Sequence, residues 1–232
     1  MKLNVLIACE ESQAECKAFR DLGHNAYSCD IKPCRKKGNP SWHIQADVTP
    51  YLDGLTTFKT MDGKEHHLST WHLIIAHPPC TYLSKVGARW LYKDTNWCID
   101  PYNGKFVNFD RWEAMKKARS FFMHCLQAKA NYLAVENPIP MELAQLPRPT
   151  TYACPSWFGV KYTKKTLYWL RNLPPLMPTV EHPFPKCYTD SSRGHYRSRT
   201  FPLMAEAIAK QWSEYIIQDM KSKRVLGGST AK

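Results

Sequence analysis

Two short motifs place reactive side chains next to prolines, directly after apolar segments of the chain. They are His77-Pro-Pro-Cys80 and Glu136-Asn-Pro138. Consecutive prolines fix the backbone and remove amide donors, so we expect the Cys80 thiol to be held outward, and a helix that begins nearby would favour its thiolate. Each motif alone has a plain alternative, either a proline turn with an incidental cysteine or a surface turn. Together, a thiol and a carboxylate in one crevice would combine a nucleophile with an acid–base group.

The hydrophobic pattern predicts the elements that would bring these motifs together. Residues 3–8 form an apolar run that predicts a strand buried on both faces, and residues 12–22 have helical spacing that ends at Gly23. Further strands are predicted at residues 25–28, 43–48, 71–76, 132–135 and 166–170, and further helices at residues 111–130 and 205–220. This alternation predicts an α/β fold with a doubly wound, mostly parallel sheet and helices on both faces.

In such a sheet, the strand ends that bind ligands meet at one edge. The candidate chemical residues that follow these ends are Cys9, Glu10, Asp30, Asp47, residues 77–80 and residues 136–138. We therefore expect a single crevice to contain both motifs.

Length and composition indicate one globular domain. The chain has 232 residues, of which 44% are hydrophobic and 22% charged, enough to bury a core without cross-links. We assign residues 1–220 to the domain, with a small irregular proline-rich region at 138–200, and residues 221–232 to a flexible tail. Mean hydropathy is −0.48, and no apolar run approaches the ~20 residues of a membrane span. The first apolar run is too short for a signal peptide, so we expect a cytoplasmic protein without a membrane partner.

The charge of the chain is concentrated in its second half. Residues 111–232 carry 19 basic and 8 acidic side chains, whereas residues 1–110 carry 13 basic and 12 acidic ones. This asymmetry, with arginines and aromatic residues in the basic half, favours a polyanionic partner such as nucleic acid. The alternative is a basic surface that serves solubility alone.

The nine cysteines do not form a pattern typical of cross-links or metal sites. Their number is odd and no Cys-x-x-Cys pair occurs, so we expect reduced and mostly buried thiols. His66-His67 and the Cys29–Cys34 spacing fit no common zinc pattern either, and no metal site is predicted.

The order and content of the motifs resemble those of cytosine-5 DNA methyltransferases, most closely the short members encoded by phages and prophages. That family carries Gly-Pro-Pro-Cys after its fourth strand and Glu-Asn-Val after its fifth. Residues 158–166 resemble its Tyr-Gly-Val-Pro-Gln-x-Arg-x-Arg stretch, and residues 199–209 its closing Gly-Asn-x-Val-Pro helix. The resemblance implies a domain of the S-adenosylmethionine-dependent methyltransferase type, acting on DNA in a bacterial or phage-infected cell.

The resemblance also implies roles for individual residues. Cys80 would add to carbon 6 of a flipped-out cytosine, Glu136 would bind ring nitrogen 3 and the exocyclic amino group, and Lys164 would neutralise a phosphate. Asp30 matches the acid that binds the cofactor ribose, and Asp47 the acid that contacts its adenine. The residues implied to contact the cofactor are Cys9, Glu10, Asp30, Ile31, Asp47, Pro78 and Thr200. DNA contacts are expected from Lys85, Arg89, Lys164, Lys165, Arg193, Arg197 and Arg199.

The chain departs from the family pattern at three places. Where the family has Phe-x-Gly-x-Gly-Gly, residues 9–14 contain no glycine, and we expect Glu10 and Glu11 to hold the cofactor ammonium group instead. Lys164 and Thr166 replace two family arginines, and Arg199-Thr200 replaces the closing Gly-Asn.

The chain is also too short for a separate target-recognition domain, which predicts a short or relaxed DNA target. Residues 81–110 mix aromatic and basic side chains, as in a loop over an extruded base or in a structured lid with its own small core. Residues 191–199 are either a phosphate-binding loop or a solvated basic loop.

Three alternative functions remain open at the level of sequence. The same thiol chemistry could act on a free cytidine nucleotide or use another one-carbon donor. The chain could also be a DNA-binding protein on a methyltransferase scaffold that has lost catalysis. An amino-group methyltransferase fits badly, because it would carry Asn or Asp where His77 stands and an aromatic residue in place of Cys80.

Overall fold

The computed structural model describes residues 1–92, 97–99, 104, 106–181 and 200–227. The strands are β1 (Asn4–Ala8), β2 (Asn25–Asp30), β3 (His43–Gln45), β4 (Thr57–Lys59), β5 (Glu65–His67), β6 (Leu73–Ala76), β7 (Trp97–Ile99), β8 (Phe106–Asn108), β9 (Tyr132–Pro138), β10 (Thr151–Ala153) and β11 (Thr166–Arg171). The α-helices are α1 (Ala14–Asp21), α2 (Thr49–Leu52), α3 (Lys85–Ala88), α4 (Phe109–Leu126) and α5 (Pro202–Gly227).

A seven-stranded sheet in the order β10-β11-β9-β6-β1-β2-β3 forms the centre of the molecule. Within this sheet, the five neighbouring strands β3, β2, β1, β6 and β9 run parallel to one another. Strands β11 and β10 extend the sheet as an antiparallel hairpin. The chain builds outward from β1 to β3 and then returns to β6 and β9, so the strand order reverses between β1 and β6. This confirms the predicted α/β class and mostly parallel sheet, and the order is compatible with a Rossmann-like fold.

Strand β1 separates two hydrophobic layers. Its five residues are all buried, and alternate side chains point to opposite faces of the sheet. Val5 and Ile7 pack in the layer that contains Phe19 of α1 and Trp212 of α5. Leu6 packs in the other layer, which contains α4 and the residues before β6. A strand buried in this way needs an unbroken apolar sequence, as residues 3–8 have.

Helix α1 begins and ends within two residues of its predicted limits. Gly23 follows it with φ of 84° and donates its amide to the carbonyl of Arg20 at 2.8 Å. This left-handed conformation is easiest for glycine and turns the chain toward β2.

Helix α5 is longer than predicted and presents a narrower apolar face. It continues to Gly227, seven residues beyond its predicted end and into the segment predicted as a flexible tail. Ile208, Trp212 and Ile216 are fully buried at intervals of four residues, whereas Tyr215, expected on the same face, is 38% exposed. Neither α5 nor any other helix of the described ranges is long and apolar enough to cross a membrane.

Several short strands were not predicted. The hairpin of β4 and β5 covers one layer, where Phe58 stacks on Trp71 with ring centroids 5.6 Å apart. Strand β10, which pairs with the predicted strand β11, also gives the proline-rich region more regular structure than expected. Three-residue strands carry too little alternating sequence to be recognised by pattern alone.

The cysteines of the described residues are unpaired, but fewer are buried than expected. Eight thiols are free, and only Cys16, Cys29 and Cys125 are buried, so the prediction of mostly buried cysteines is wrong. In the same part of the chain, no group of three or more His, Cys, Asp or Glu side chains could hold a metal ion.

Truncation of Trp212 should destabilise the fold strongly. The indole is fully buried, contacts the Tyr168 ring edge-on, and donates from Nε1 to the carbonyl of Pro174 at 3.1 Å. We expect Trp212→Ala to lower the free energy of unfolding by roughly 3–5 kcal/mol in urea titrations. The matched control Tyr215→Ala, one turn further on the exposed side, should cost less than about 1 kcal/mol. Equal losses for both variants would contradict the assigned orientation of α5.

Candidate active site

A cavity of about 730 Å³ opens at the carboxyl ends of the parallel strands, where the strand order reverses. Its walls come from the segments after β1, β2, β6 and β9 and from the start of α5. The lining includes Cys9, Asp30, Cys80, Glu136 and Lys164. The fold therefore brings both sequence motifs into one cleft, at the position and of the size typical of ligand sites in doubly wound sheets.

The two motifs are joined by a direct hydrogen bond. Asn137 is fully buried, and its Nδ2 donates to the carbonyl of Pro78 at 3.0 Å. Further along both segments, the amide of Lys85 donates to the carbonyl of Ile139 at 3.0 Å, and the amide of Met141 donates to the carbonyl of Leu83 at 2.8 Å. The loop that carries Cys80 is thus fixed against the end of β9 over several residues.

Glu136-Asn-Pro138 is the end of a strand and not a turn. Glu136 pairs with Tyr168, and Asn137 with Leu167, across the antiparallel β9–β11 ladder. Both the expected proline-fixed turn and its alternative of a surface turn are therefore wrong. Strand geometry holds Glu136 more firmly than a turn would, because Val135 pairs with both β6 and β11 and Asn137 pairs with β11.

Cys80 lines the cleft as a thiol. Burial raises its pKa, the charge of Lys164 opposes this shift, and the charge of Glu136 adds to it. The nearby helix α3 has only four residues and begins five residues later. The expectation that a helix start favours the Cys80 thiolate is therefore wrong, and Lys164 is the group that assists ionisation.

His77 lies between two carboxylates at the base of the cleft. Its Nδ1 is 3.2 Å from Oε2 of Glu136, and its Nε2 is 3.1 Å from Oε2 of Glu15. Burial alone would lower the pKa of His77, but the two carboxylates outweigh it and raise the pKa well above its ordinary value. Burial would likewise raise the pKa of Glu136, but the hydrogen bond and charge of His77 and the charge of Lys164 lower it. The three side chains form a buried ionic bridge.

Glu15 is a site residue that sequence reasoning missed. It is fully buried in the first turn of α1, and its Oε1 accepts a hydrogen bond from Oγ1 of Thr200 at 3.1 Å. The available signal was its spacing, four residues before Phe19 on the apolar side of a predicted helix. An acid on a buried helix face needs a partner, but the sequence does not identify His77 as that partner.

Glu10 is committed to the start of α1. Its Oε1 accepts from the amide of Glu15 at 2.9 Å, and its Oε2 from the amide of Cys16 at 3.3 Å. Burial and the charge of Glu15 raise the pKa of Glu10 to about 7, against the lowering effect of these amides. Glu11 pairs with Arg35 at 2.7 Å. Each acid expected to hold an ammonium group thus already has a partner within the protein.

The glycine-free loop between β1 and α1 nevertheless has glycine-like backbone angles. Cys9 and Gln13 have φ of 62° and 59°. For residues with a side chain this conformation costs about 1–2 kcal/mol and needs surrounding contacts to maintain it. The amide of Cys9 donates to the carbonyl of Cys29 at 2.7 Å, and the amide of Asn39 donates to Oε1 of Gln13 at 2.6 Å. These two bonds are among the contacts that maintain the conformation.

Most residues expected to contact a cofactor line the cleft. These are Cys9, Glu10, Asp30, Pro78 and Thr200. Asp30 lies at the end of β2, and its Oδ1 accepts from the amide of Lys32 at 2.9 Å.

Two expected cofactor residues are not part of this lining. The carboxylate of Asp47 is exposed and accepts from the amide of Thr49 at 2.9 Å at the start of α2, which lowers its pKa. Ile31 is 72% exposed beside the cleft. Asp47 thus lies in a turn that precedes α2, outside the residues that line the cleft.

The expected DNA-binding residues are described in part. Lys85, Lys164 and Lys165 line the cleft, and Nζ of Lys165 lies 4.1 Å from the centre of the Tyr152 ring. The described residues do not include Arg193, Arg197, Arg199 or the side chain of Arg89.

The described part of residues 81–110 is anchored in the main core. Leu83, Leu91 and Val107 are fully buried in the layer that contains α4, so the alternative of a lid with its own small core is wrong for this part. Nη2 of Arg111 bonds to the carbonyls of Thr81 and Gly87 at 2.8 and 3.2 Å. The described residues of this segment therefore form a wall beside Cys80.

Comparison with protein-family models gives no match for this chain, and comparison with curated proteins gives no significant match. Function is therefore inferred from the geometry and chemistry of the cleft.

Glu10 should make folding less favourable as the pH rises. With its pKa raised to about 7, the folded protein holds a proton that the unfolded chain releases near pH ~4.3, so stability falls between these values and then levels off. Between about pH 5 and 8, we expect the free energy of unfolding to decrease by roughly 2–4 kcal/mol less in Glu10→Gln than in the wild type, measured by urea unfolding. The exposed control Glu142→Gln should leave it as in the wild type, and a parallel wild-type curve for Glu10→Gln would contradict the prediction.

Removal of the Lys164 charge should make Cys80 less reactive. Lys164→Met raises the pKa of the thiol and lowers its thiolate fraction at a given pH. We expect iodoacetamide labelling of the Cys80 peptide, followed by mass spectrometry, to slow by about threefold or more. Lys165→Met serves as the control, since that side chain lies over Tyr152. Equal rates for the two variants would show that Lys164 does not act on Cys80.

Proposed function

We propose that this chain transfers a methyl group from S-adenosylmethionine to carbon 5 of cytosine in DNA through a covalent adduct with Cys80. The observation that carries the proposal is the presence of the Cys80 thiol and the Glu136 carboxylate in one cleft, with their motifs joined by the Asn137–Pro78 hydrogen bond. A nucleophile beside an acid–base group on rigid elements suits addition to an electron-poor ring.

The cleft also has features that suit the cofactor. Its volume of about 730 Å³ is within the range of nucleotide-sized ligands, and Asp30 presents a carboxylate at the end of β2, where ribose hydroxyls are commonly bound. Asp30, Cys9 and Pro78 would hold the cofactor, with Thr200 at the start of α5. When bound, the cofactor supplies an electrophilic methyl group on a sulfonium sulfur.

The protein residues would act in a fixed order. Cys80 loses its proton, assisted by Lys164, and its sulfur bonds to carbon 6 of the ring. The π electrons of the C5–C6 bond then shift toward carbon 4, and those of the C4–N3 bond shift to nitrogen 3, which takes a proton from Glu136. This makes carbon 5 nucleophilic. Once carbon 5 carries the methyl group, its hydrogen leaves as a proton to water and the electrons of that bond form the C5–C6 double bond. The sulfur leaves as the Cys80 thiolate, nitrogen 3 returns its proton to Glu136, and the aromatic ring is restored.

DNA is the substrate that the charge distribution favours. Lys85, Lys164 and Lys165 lie at the cleft, and the second half of the chain carries 19 basic against 8 acidic side chains. Such an excess favours phosphate contacts and makes binding salt-dependent. A cytosine stacked in a duplex cannot reach a thiol inside a cleft, so the base would have to be flipped out.

Cys80→Ala should abolish methyl transfer. We expect tritium from methyl-labelled S-adenosylmethionine to enter cytosine-containing DNA, and the substitution to reduce this by at least about a thousandfold because the nucleophile is lost. Cys34→Ala, which alters a partly exposed thiol outside the cleft, is the matched control. Residual transfer of a few per cent by Cys80→Ala would remove Cys80 from the mechanism.

The same assay separates the alternative functions. Label in cytidine nucleotides but not in DNA would replace the substrate, and binding of DNA without any transfer would indicate a non-catalytic protein. An oligonucleotide with fluorine at carbon 5 of cytosine adds a covalent readout, since fluorine cannot leave as a cation. The adduct should be found on the Cys80 peptide, and its absence there would contradict the proposed nucleophile.

A further inference from the structure

His77 stands at the first position of its motif, where the resembling family has glycine. Its imidazole is within 3.2 Å of Glu136 on one side and within 3.1 Å of Glu15 on the other. Its side chain is 15% exposed and that of Glu15 is fully buried. A glycine could make neither contact, so this chain has a titratable group directly behind Glu136.

The groups that surround His77 come from four elements, and most are acidic. Glu15 faces it from α1 and Glu136 from β9, and the charges of Glu10 and His77 affect each other across the β1–α1 loop. Tyr168 on β11 lies beside both Glu15 and Glu136, and its pKa is raised well above the ordinary value by burial and by these two carboxylates. Lys164 is the cation that acts on Glu136 from across the cleft.

We propose that His77 stores the proton that Glu136 delivers to nitrogen 3 of the cytosine, and that Glu15 holds His77 in the form able to do so. This inference rests on the proposed function. It makes His77 and Glu15 positioning residues, because they act through Glu136 and do not touch the base.

The proton transfers balance in both directions. As the Cys80 sulfur bonds to carbon 6, His77 gives its Nδ1 proton to the Glu136 carboxylate, and Glu136 passes it to nitrogen 3. His77 becomes neutral and keeps its Nε2 proton, which stays hydrogen-bonded to Glu15. Glu136 is again a carboxylate and faces the unprotonated Nδ1. When the sulfur leaves, nitrogen 3 returns its proton to Glu136, and Glu136 returns one to Nδ1.

Glu15 fixes which nitrogen of His77 can give a proton. Because Nε2 is 3.1 Å from a fully buried carboxylate, the Nε2 proton is retained and Nδ1 is left to exchange with Glu136. Because the hydrogen bond and the charge of His77 themselves lower the pKa of Glu136 against the effect of burial, the proton rests on His77 and not on Glu136 before the reaction. The His77 cation, whose pKa is raised well above its ordinary value, holds that proton ready.

The pH profile of methyl transfer tests this relay. Activity should fall on the alkaline side when His77 loses its proton. His77→Gln should move this fall to lower pH, because the proton must then come from Glu136 itself, and a carboxyl loses its proton at lower pH than the His77 cation. We expect the deficit of His77→Gln relative to the wild type to grow about tenfold or more between about pH 6 and pH 8.5. Glu15→Gln should shift the profile in the same direction, which keeps the test open if His77→Gln does not fold.

A matched histidine provides the control. His72 precedes β6 at the opposite edge of the sheet and accepts from the amide of Asn4 at 2.9 Å, so His72→Gln should leave the profile unchanged. A constant deficit of His77→Gln and Glu15→Gln at all pH values would overturn the relay, because it would indicate a purely structural contact.

A titration of His77 by nuclear magnetic resonance tests the ionic bridge without any activity. The imidazole should remain protonated well above pH ~6.5 in the wild type, and Glu15→Gln should lower its pKa by about one unit or more. Methyl transfer with an ordinary His77 pKa would overturn the relay alone. A raised His77 pKa in a folded protein that transfers no methyl group would overturn the proposed function instead.

Discussion

Two buried carboxylates at the end of a parallel sheet require a cation between them, and in this protein that cation is His77. Glu15 is fully buried and the side chain of Glu136 is 18% exposed, and they lie 3.1 and 3.2 Å from the two nitrogens of the same imidazole. An unpaired charge at such depth would cost several kcal/mol, so the three groups stabilise one another only as a set. Because they come from α1, β6 and β9, the bridge also fixes the relative positions of the elements that form the cleft.

The topology explains why these groups meet. Parallel strands carry their following loops at one edge, and the reversal of strand order between β1 and β6 opens a gap there that no crossover fills. Asn137 closes the loop of Cys80 onto β9 by binding the Pro78 carbonyl. Proline has no amide to offer to such a contact, so the side chain of a neighbouring strand supplies the donor. The carboxylate is thereby held on a strand that pairs with β11, and the loop of the thiol is tied to the same strand.

The sequence predicted the parts of the fold that have long, distinct patterns. The apolar run at β1, the helix before Gly23, and the strand ends near Cys80 and Glu136 were all placed in the right order. It could not predict contacts that depend on depth, such as the burial of Glu15 or the rotation that leaves Tyr215 exposed. Asp47 shows the same limit, because an acid after a strand can bind a ligand or begin a helix, and only the backbone that follows decides between them. The three-residue strands β4, β5 and β10 gain their stability from packing and not from their own sequence.

The loop after β1 has glycine-like backbone angles although it contains no glycine. Cys9 and Gln13 adopt the left-handed angles that glycine takes most readily, and hydrogen bonds to Cys29 and Asn39 maintain them. Position 38 is where the packing of this loop requires glycine, because a Cβ atom there would lie 2.6 Å from Oε1 of Gln13. A loop held by side chains has less freedom to lose when a ligand binds than one built from glycine. The absence of glycine from residues 9–14 is therefore compatible with a well-defined wall of the cleft.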